Sequence, residues 1–417
     1  MLNLYRIAAA LIYCCLWPFM RLSARRGSRK WRQRAGHHNG PTVSKSFDLW
    51  LHASSVGEVN VVEILCDCLI RLRPEISIYL TVMTETGMNQ VRRLFGENRP
   101  VGFFPVDHGP AVRRFLNTIE PRAAVFVETE IWPNMITALG ARRIPIILAN
   151  GRLSEKARKR YRLFRPGMRK VFANYSMMFL QSERDRQRYL SIGAPPDRMI
   201  VIGNLKLDAP PYEISEEEKA GIRNRLPFKN DSKIFIAGST RHDEDAIILD
   251  IYSQLVATIS DLVLILVPRH PEKAAPVWKM IEQRGLTGQL YSRLDNSAGD
   301  VQVVLVDEVG HLNDLYAASD IAFVGGTLAD IGGHNILEPV WAGIPVLYGP
   351  SVANVVESSR YITEGGYGEK ISDGDDLRRK LTSFFSGAGS YRRRRGEDYR
   401  PTRVEKTARE ILSLLDN

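Results

Sequence analysis

The stretch FVGGTLADIGGHNILEPVWAGIPVLYG, residues 323–349, carries the strongest indication of the fold. An apolar run at 321–324 ends in glycine pairs, and a helical pattern with Pro339 in its first turn leads to a further apolar run. With Asn335 as the predicted N-cap, these features indicate a helix whose amides face a bound anion. Glu338 could accept both hydroxyls of a ribose, as acids do in dinucleotide folds. A purely structural glycine-rich turn is the alternative.

Short apolar runs alternate with helical patterns on both sides of a polar, proline-flanked segment at 210–232. This alternation predicts βα units and parallel sheets covered on both faces. The 417 residues also exceed what one hydrophobic core usually supports. We therefore predict an α/β protein with two doubly wound domains, at 36–209 and 233–417, a linker at 210–232, and a last helix that packs back on the first domain. The predicted strands are 47–52, 76–82, 123–128, 145–149, 177–181, 199–202, 234–237, 262–267, 303–306, 321–324 and 345–347.

The formal net charge is +10, and the excess is concentrated in two blocks. Residues 21–34 carry seven basic side chains and no acidic one, and residues 152–170 carry nine against the single Glu155. Such blocks predict a partner with phosphates or an anionic surface, whereas a solvated face would have scattered charges. Few aromatic residues lie among the basic ones, so nucleic acid is not the expected partner.

An apolar run at residues 7–20 precedes the first basic block. The run is shorter than the ~20 residues of a bilayer span, and its flanking charge lies on the opposite side from that of a secretory signal peptide. We predict a membrane anchor over residues 1–35, marginally spanning or interfacial, that keeps the main chain on the cytoplasmic face of a membrane. A first core helix is the alternative. The side chains expected to reach anionic headgroups include Arg25, Arg26, Arg29 and Lys30.

Neither the cysteines nor the acids form a metal-site pattern. The four cysteines, Cys14, Cys15, Cys66 and Cys68, contain no CxxC pair, which predicts free thiols in a reducing cytoplasm. No DxD-like acidic pair follows a predicted strand. We therefore expect metal-independent chemistry and no cofactor.

The first predicted strand ends in HASSVGEVN, residues 52–60. Gly57 would let a ligand approach the backbone, and Glu58 could accept a proton from a sugar hydroxyl as general base. Complementing the helix dipole explains an acid in a first turn equally well. The same dipole is expected to lower the pKa of Glu58 and to weaken it as a base.

Two more charged motifs follow predicted strands in the first half. Glu128 and Glu130 are two acids before a Pro-initiated helix, more than a cap requires, and could bind acceptor hydroxyls or stabilise positive charge. A pair of hydrolase-type carboxylates is the alternative. Lys206 in GNLKLD follows the last strand and could supply a point charge to a leaving group.

The second half has its own motifs after strands. Ser239 and Thr240 end a strand at a glycine turn suited to a phosphate, although the Gly-Lys-Ser/Thr end of a P-loop is missing. Pro268 and Arg269 follow the next strand, where Arg269 could pair with a phosphate or bind a base.

In combination, HASSVGE, ETEIWPN, GNLKLD, PRHPE and GGHNILEP have the order and spacing of the Kdo transferases, which the chain resembles up to about residue 350. The resemblance implies the GT-B fold, with two Rossmann-like domains facing a cleft, and transfer of 3-deoxy-D-manno-octulosonic acid (Kdo) from CMP-Kdo to a lipid A precursor. It implies Glu58 as general base, with Glu130 and Lys206 stabilising the transition state. We expect the acceptor to contact Ser54, Ser55, Gly57 and Glu128. We expect CMP to contact Ser239, Thr240, Pro268, Arg269, Val309, Gly310, His311, Asn335, Ile336, Leu337 and Glu338.

Two places depart from the family pattern. Residues 310–312 read Gly-His-Leu where the family usually has Gly-Glu-Leu, so only backbone contacts to CMP are implied there. Residues 241–244 read Arg-His-Asp-Glu where the family commonly has His-x-Gly-Glu. Both concern the donor site rather than the type of reaction.

Other functions fit parts of the sequence. A nucleotide-sugar epimerase or another GT-B transferase would share the donor motif, but HASSVGE and the membrane-facing N-terminus argue against a soluble epimerase. A degenerate module that binds membranes or nucleic acid would use the basic blocks, but it would not need Glu58 and Glu338.

Overall fold

The computed structural model describes residues 5, 7, 9–11, 13–15, 18, 22, 28–38, 46–212, 214–229, 231–241, 243–295, 300–396 and 399–416. The chain forms two compact units, residues 1–208 with 401–417, and residues 209–400. About half of the predicted anchor, including Arg25 and Arg26, lies outside the described residues, as does His242. Among the helices that are described, none combines the length and the apolar character needed to cross a bilayer.

The first unit is built on a sheet of seven parallel strands. They are β1 Phe47–Ala53, β2 Ile78–Val82, β3 Val101–Phe103, β4 Pro121–Val127, β5 Ile146–Gly151, β6 Met177–Leu180 and β7 Met199–Val201. The order across the sheet is β3-β2-β1-β4-β5-β6-β7, so the direction of winding reverses between β1 and β4. In open α/β sheets, ligands bind at the carboxyl ends of the strands beside such a switch point.

Helices cover this sheet, which is why β1 and β4 are buried along almost their whole length. The last helix of the chain belongs to this unit, where it packs against the long helix that follows β1. The helices are α1 Arg29–Arg34, α2 Val56–Leu72, α3 Glu85–Phe95, α4 Gly109–Ile119, α5 Pro133–Ala141, α6 Glu155–Arg162, α7 Arg165–Phe172, α8 Glu183–Ser191 and, at the C-terminus, α16 Thr402–Asp416.

The second unit is also built on seven parallel strands with one reversal of winding. Its strands are β8 Lys233–Thr240, β9 Leu262–Pro268, β10 Gly288–Leu290, β11 Val303–Leu305, β12 Ile321–Val324, β13 Val346–Tyr348 and β14 Gly368–Lys370. All are parallel, in the order β10-β11-β9-β8-β12-β13-β14, and the winding reverses between β8 and β12. Compared with the first unit, its extra edge strand lies beside β11 rather than at the opposite edge. The helices are α9 Glu216–Arg225, α10 Glu244–Leu255, α11 Ala274–Gln283, α12 Leu312–Ala318, α13 Glu338–Trp341, α14 Val356–Gly365 and α15 Gly374–Phe385.

The described residues of the predicted linker, 210–212, 214–229 and 231–232, group with the second unit. They include α9, whose N-terminus is closed by a capping box between Ser215 and Glu218. Ile222 of α9 is buried, so a single apolar contact face holds an otherwise polar helix on the unit. The sequence did not predict this helix, because only one of its side chains is buried and it therefore has no apolar periodicity.

Candidate active site

The turn between β1 and α2 fixes the position of Glu58. Ser55 is the N-cap of α2, and its hydroxyl accepts the Glu58 amide hydrogen at 3.4 Å. Oε2 of Glu58 accepts the amide hydrogen of Ser54 at 2.5 Å. The carboxylate is thus held over the first turn of α2 by a bond that resembles a capping box shifted by one residue.

The pKa of Glu58 is raised to about 7. Burial is the largest cause, and the negative charges of Glu130 and Glu128 add to it, against the hydrogen bond from Ser54. The sequence-based expectation of a lowered pKa is therefore wrong, because desolvation and like charges outweigh the helix N-terminus. A carboxylate with a pKa near 7 is suited to act as a general base at neutral pH.

Glu128 directly follows β4 and is paired with Lys206. Its backbone has a φ of 61°, a left-handed conformation that costs a non-glycine residue on the order of 1 kcal/mol. Nζ of Lys206 donates to Oε1 of Glu128 at 2.8 Å. A Cβ added to Gly57 would lie 3.8 Å from the same Nζ. The ion pair therefore joins the end of β4 to the segment that carries Lys206, and the ammonium lies beside the turn that carries Glu58.

Glu130 keeps its charge more readily than Glu58. Its Oε2 accepts a hydrogen bond from Nε1 of Trp132 at 2.7 Å and lies 3.4 Å from Nε2 of His52. Burial acts to raise the pKa of Glu130, but His52, Ser54 and Trp132 together lower it below its usual range. The pKa values of the two acids are thus pushed apart, which is the arrangement that separates a titrating group from a permanently ionised one.

His52 was not among the predicted site residues, although it stands in HASSVGE. It is fully buried, and its Nδ1 lies 3.0 Å from Oγ1 of Thr81, on the neighbouring strand. Because Thr81 contacts one ring nitrogen, the other is directed towards Glu130. The signal that could have identified His52 is a histidine within an otherwise apolar buried strand.

Lys206 lies on a short 3-10 helix, Leu205–Asp208, that side-chain amides hold in place. Oδ1 of Asn150 accepts the amide hydrogen of Leu205 at 2.9 Å, and Oδ1 of Asn204 accepts that of Lys206 at 3.0 Å. The predicted residues Glu58, Glu128, Glu130, Lys206, Ser54, Ser55 and Gly57 are therefore brought together at one edge of the first sheet.

At the end of that 3-10 helix, Asp208 holds the C-terminal helix α16. Its buried carboxylate accepts the amide hydrogens of Arg403 and Val404 at 2.5 and 2.9 Å, and the Arg403 guanidinium at 2.7 Å. These bonds satisfy amides at the N-terminus of α16, which helical bonding leaves free. Lys206 and α16 are thus fixed by neighbouring residues of one segment.

In the second unit, a buried carboxylate closes the loop after β12. Glu244, the first residue of α10, is 1% exposed, and its oxygens accept the amide hydrogens of residues 326–329. These four amides, which precede the helix predicted to face an anion, are therefore bonded within the unit. Their hydrogen-bonding capacity is already used by a side chain of the same chain.

The helix predicted to begin at Asn335 begins at Glu338 and has four residues. Its N-cap is Leu337, so the N-cap prediction is wrong, because Gly332 and Gly333 with positive φ keep the chain irregular before it. Oδ1 of Asn335 accepts the Leu337 amide hydrogen at 3.3 Å, and Nδ2 donates to Glu338 Oε1 at 3.2 Å. Burial raises the pKa of Glu338, while Asn335 and Arg269 lower it.

The ends of β8 and β9 are linked to each other. The Thr240 hydroxyl donates to Asp245 at 2.5 Å, and the Thr240 carbonyl accepts the Arg269 amide hydrogen at 3.0 Å. The hydroxyl of Thr240 is thus engaged within the unit. Ser239 has a φ of 57°, and a Cβ on Gly325 would lie 2.6 Å from its carbonyl oxygen, so the ends of β8 and β12 also approach closely.

Positive charge surrounds His334, which follows the second glycine pair. The pKa of His334 is lowered to about 4, mainly by burial and then by the positive charges of Arg269 and Arg241. His334 is therefore neutral at physiological pH, while the arginines give this edge of the sheet a positive potential suited to an anion. Arg241 and His334 were not predicted as site residues.

Other predicted donor contacts differ in what they can offer a ligand. Ile336 and Leu337 are fully buried, as part of the core, whereas Val309 is 79% exposed. Gly310 has a φ of 102°, and Nε2 of His311 lies 3.4 Å from Oε2 of Glu308. Among the described residues, no group of three or more His, Cys, Asp or Glu side chains could hold a metal ion.

The family model for 3-deoxy-D-manno-octulosonic-acid transferase (kdotransferase) matches residues 29–209. This part contains Glu58, Glu128 and Glu130, which we call the acid cluster. A 3-deoxy-D-manno-octulosonic acid transferase of Haemophilus influenzae is 32% identical over 393 residues, 94% of this chain and 91% of that protein. The chain belongs to the Kdo transferase family. The predicted family and the glycosyltransferase class are thereby confirmed.

Two further comparisons concern this Kdo transferase family member. A bifunctional glycosyltransferase/methyltransferase of Fusobacterium nucleatum is 36% identical over 79% of the chain, which spans only 51% of that relative's length. The crystal structure of UDP-GlcNAc 2-epimerase from Neisseria meningitidis bound to UDP-GlcNAc aligns with 88% of this chain and with 100% of its own chain. The TM-score is 0.58 and the sequence identity is 16%. That similarity shows the fold alone, and together with the two parallel sheets it confirms the predicted α/β class.

Proposed function

We propose that this protein transfers Kdo from CMP-Kdo to the 6'-hydroxyl of lipid IVA, the lipid A precursor, in lipopolysaccharide core biosynthesis. The observation that carries the proposal is Glu58, a buried acid with a pKa of about 7 at the carboxyl end of a central strand. Ligands of open α/β sheets bind at such ends. The names of the relatives support Kdo as the transferred sugar. Glu58, beside Glu128 and Glu130, provides a carboxylate that can act as the base.

In the proposed mechanism, ionised Glu58 removes the proton of the acceptor hydroxyl as its oxygen attacks the anomeric carbon of Kdo. The bond from that carbon to the phosphate oxygen breaks, and CMP leaves with the electron pair. A single displacement of this kind inverts the anomeric centre. Glu130, which stays ionised, offsets the positive charge that develops on the sugar, and Lys206 stabilises the negative charge of the transition state.

For the acceptor, we propose contacts with Glu128, Ser54, Ser55 and Gly57. Glu128 carries a carboxylate oriented by Lys206, so it is available as an acceptor for sugar hydroxyls. Ser54 and Ser55 line the same turn as Glu58. These contacts would place the reacting hydroxyl within reach of Glu58.

For the donor, we propose that CMP lies at the carboxyl edge of the second sheet. Arg269 would pair with the phosphate and Glu338 would accept the ribose hydroxyls. The remaining proposed contacts are Ser239, Thr240, Pro268, Val309, Gly310, His311, Asn335, Ile336 and Leu337. The chemistry needs neither a metal ion nor a cofactor in this scheme, because cationic side chains and amides stabilise the departing phosphate.

We also propose that the protein works on the cytoplasmic face of the inner membrane, held by its N-terminal segment and by anionic lipids. Leu163 and Phe164, between α6 and α7, are 79% and 44% exposed. They lie within the basic block 152–170, and α6 buries none of its side chains. Exposed apolar side chains framed by basic ones are suited to insert into an anionic interface.

Sedimentation with lipid vesicles tests this membrane contact. We expect the full chain to bind phosphatidylglycerol vesicles more strongly than phosphatidylcholine vesicles, and the double substitution L163S with F164S to weaken that binding. V356S, at an exposed apolar residue beside Glu357, is the matched control and should bind as the wild type does. Equal effects of the two variants would contradict the assignment of this surface.

Product mass tests the reaction itself. Purified protein is incubated with CMP-Kdo and lipid IVA, and mass spectrometry counts the sugars added. We expect one or more additions of Kdo by the wild type. No transfer by well-folded protein, together with turnover of another nucleotide sugar or epimerisation of UDP-GlcNAc, would refute the proposed donor.

A further inference from the structure

The carboxylate of Glu244 occupies a concave run of backbone amides after β12. Oε1 accepts the amide hydrogens of Thr327, Leu328 and Ala329 at 3.1, 2.9 and 3.1 Å. Oε2 accepts that of Gly326 at 2.7 Å, and that of Arg241 in the preceding turn at 2.9 Å. Successive amides that converge in this way form an anion-binding nest. In this unit the anion is a side chain from a helix more than 80 residues earlier in the chain.

The loop held by Glu244, residues 325–329, in turn supports the segment with the proposed donor contacts. The amide of Gly333 donates to the carbonyl of Gly326 at 2.8 Å. A Cβ added to Gly326 would lie 2.7 Å from Cδ2 of His334, so the imidazole packs directly on the loop backbone. A displacement of the 325–329 loop would therefore displace His334 and, with it, the neighbouring Asn335.

The same loop is anchored on its other side to the chain after β13. The Thr327 hydroxyl accepts the amide hydrogen of Gly349 at 2.8 Å, and the Thr327 carbonyl accepts that of Ser351 at 2.9 Å. A Cβ on Gly349 would lie only 2.3 Å from the Thr327 carbonyl oxygen. Glu244 is thus the buried ionic centre of a junction between the ends of β8, β12 and β13.

We propose that Glu244 is a positioning residue for the donor site, which fills the amide nest of the 325–329 loop and thereby sets the backbone at 333–338. The proposal rests on the proposed function, because it concerns the segment assigned to CMP. It also assigns the phosphate of the donor to the cations Arg241 and Arg269 rather than to the loop amides. Those amides are not available to a ligand as long as Glu244 occupies them.

The nest requires a carboxylate in particular. A glutamine offers one acceptor oxygen, and its amide group would direct hydrogens at the hydrogens of the loop. An aspartate is shorter by one methylene and would not reach all of the amides that Glu244 contacts. Replacement of Glu244 by alanine keeps Cβ and removes the Cγ methylene and the carboxylate. An acetate ion has a methyl group and a carboxylate, so it can occupy the space of the missing atoms.

Rescue of E244A by acetate tests the proposal. CMP affinity is measured by calorimetry and thermal stability by the melting temperature, for full-length wild type and E244A, in chloride, in acetate and in the neutral isostere acetamide. We expect E244A to melt lower and to bind CMP at least about tenfold more weakly. Acetate should restore both properties in a saturable way, and acetamide should restore neither.

Asp320 provides the matched control. It also accepts a backbone amide hydrogen with a carboxylate, from Ile234 at 2.8 Å, but directly before β12, at the opposite edge of the same sheet. D320A should keep CMP affinity and should not respond to acetate. If E244A does not fold, E244Q keeps the size of the side chain and should still lose CMP affinity.

Wild-type CMP affinity in E244A or E244Q would overturn the proposal, as would equal effects of acetate and acetamide. If the wild type itself fails to bind CMP, the proposed donor is wrong. In that case the acetate-specific recovery of the melting temperature still decides whether the nest is held by a carboxylate.

Discussion

The two sheets share an architecture but place acids at their carboxyl edges in opposite environments. In the first unit, Glu58 has one amide partner at its carboxylate and two negative neighbours, and its pKa rises to about 7. In the second unit, Glu244 accepts five backbone amide hydrogens. The comparison teaches that burial alone does not assign a role to an acid. The donors around an acid determine whether its carboxylate is open to a substrate or is fully engaged with backbone amides.

The largest expected effect distinguishes Glu58 from another acid of the same helix. Burial raises the pKa of Glu63 to about 7 as well, with a contribution from Asp67, yet Glu63 is not part of the acid cluster. E58Q should lower kcat for Kdo transfer by about 10²–10⁴-fold, the usual contribution of a general base. E63Q should change kcat little. Similar losses in both variants, measured under saturating substrate, would mean that a raised pKa on α2 is not specific to the site.

A smaller effect is expected at the cation of the cluster. K206M should reduce kcat by about 10²-fold, as does removal of one charge-stabilising donor, and K206R should retain more activity. Without the ammonium, the charge of Glu128 acts on Glu58 unopposed and raises the pKa of Glu58 further. The activity of K206M should therefore rise at a higher pH than that of the wild type. A pH profile unchanged in K206M would separate Lys206 from the titration of Glu58.

The smallest expected effect is a loss of stability at Asp208, an acid of the first unit that accepts backbone amide hydrogens as Glu244 does in the second. Asp208 resembles Glu244 in this respect, since it accepts the amide hydrogens of Arg403 and Val404. D208N should destabilise α16 by about 2–3 kcal/mol, because a buried charged acceptor is lost. Hydrogen exchange of the α16 amides measures this.

Asp416 supplies the control for Asp208. It pairs with Arg73 at 2.8 Å at the other end of α16 and is exposed, so D416N should cost less than about 1 kcal/mol. Equal loss of protection in D208N and D416N would show that amide contacts do not set the structural role of Asp208.

The buried parts of the fold were predictable from sequence, and the edges were not. Strands such as β1 and β9 are buried along most of their length, so each appears as a continuous apolar run. The strands β3, β10 and β14 have three residues each and lie at or beside the margins of the sheets. Too few of their side chains are buried, or the run is too short, to give a pattern.

The candidate site was predictable where a residue follows a strand in the chain. Glu58, Glu128, Glu130 and Lys206 were identified for that reason. The pKa of Glu58 was predicted in the wrong direction, because the helix terminus is a local feature whereas burial and the charge of Glu130 depend on tertiary packing. Glu244 was not recognised because the amides it contacts lie far away along the chain, as with Gly326, 82 residues later.

The pH dependence of kcat/KM for Kdo transfer tests the central claim most directly. Because the pKa of Glu58 is raised and only the carboxylate can accept a proton, wild-type activity should rise with pH, with a midpoint near 7. The residual activity of E58Q should lack that rise. A wild-type midpoint near 4.5, the pKa of an unperturbed glutamate, or the same rise in E58Q, would contradict the assignment of Glu58 as the general base.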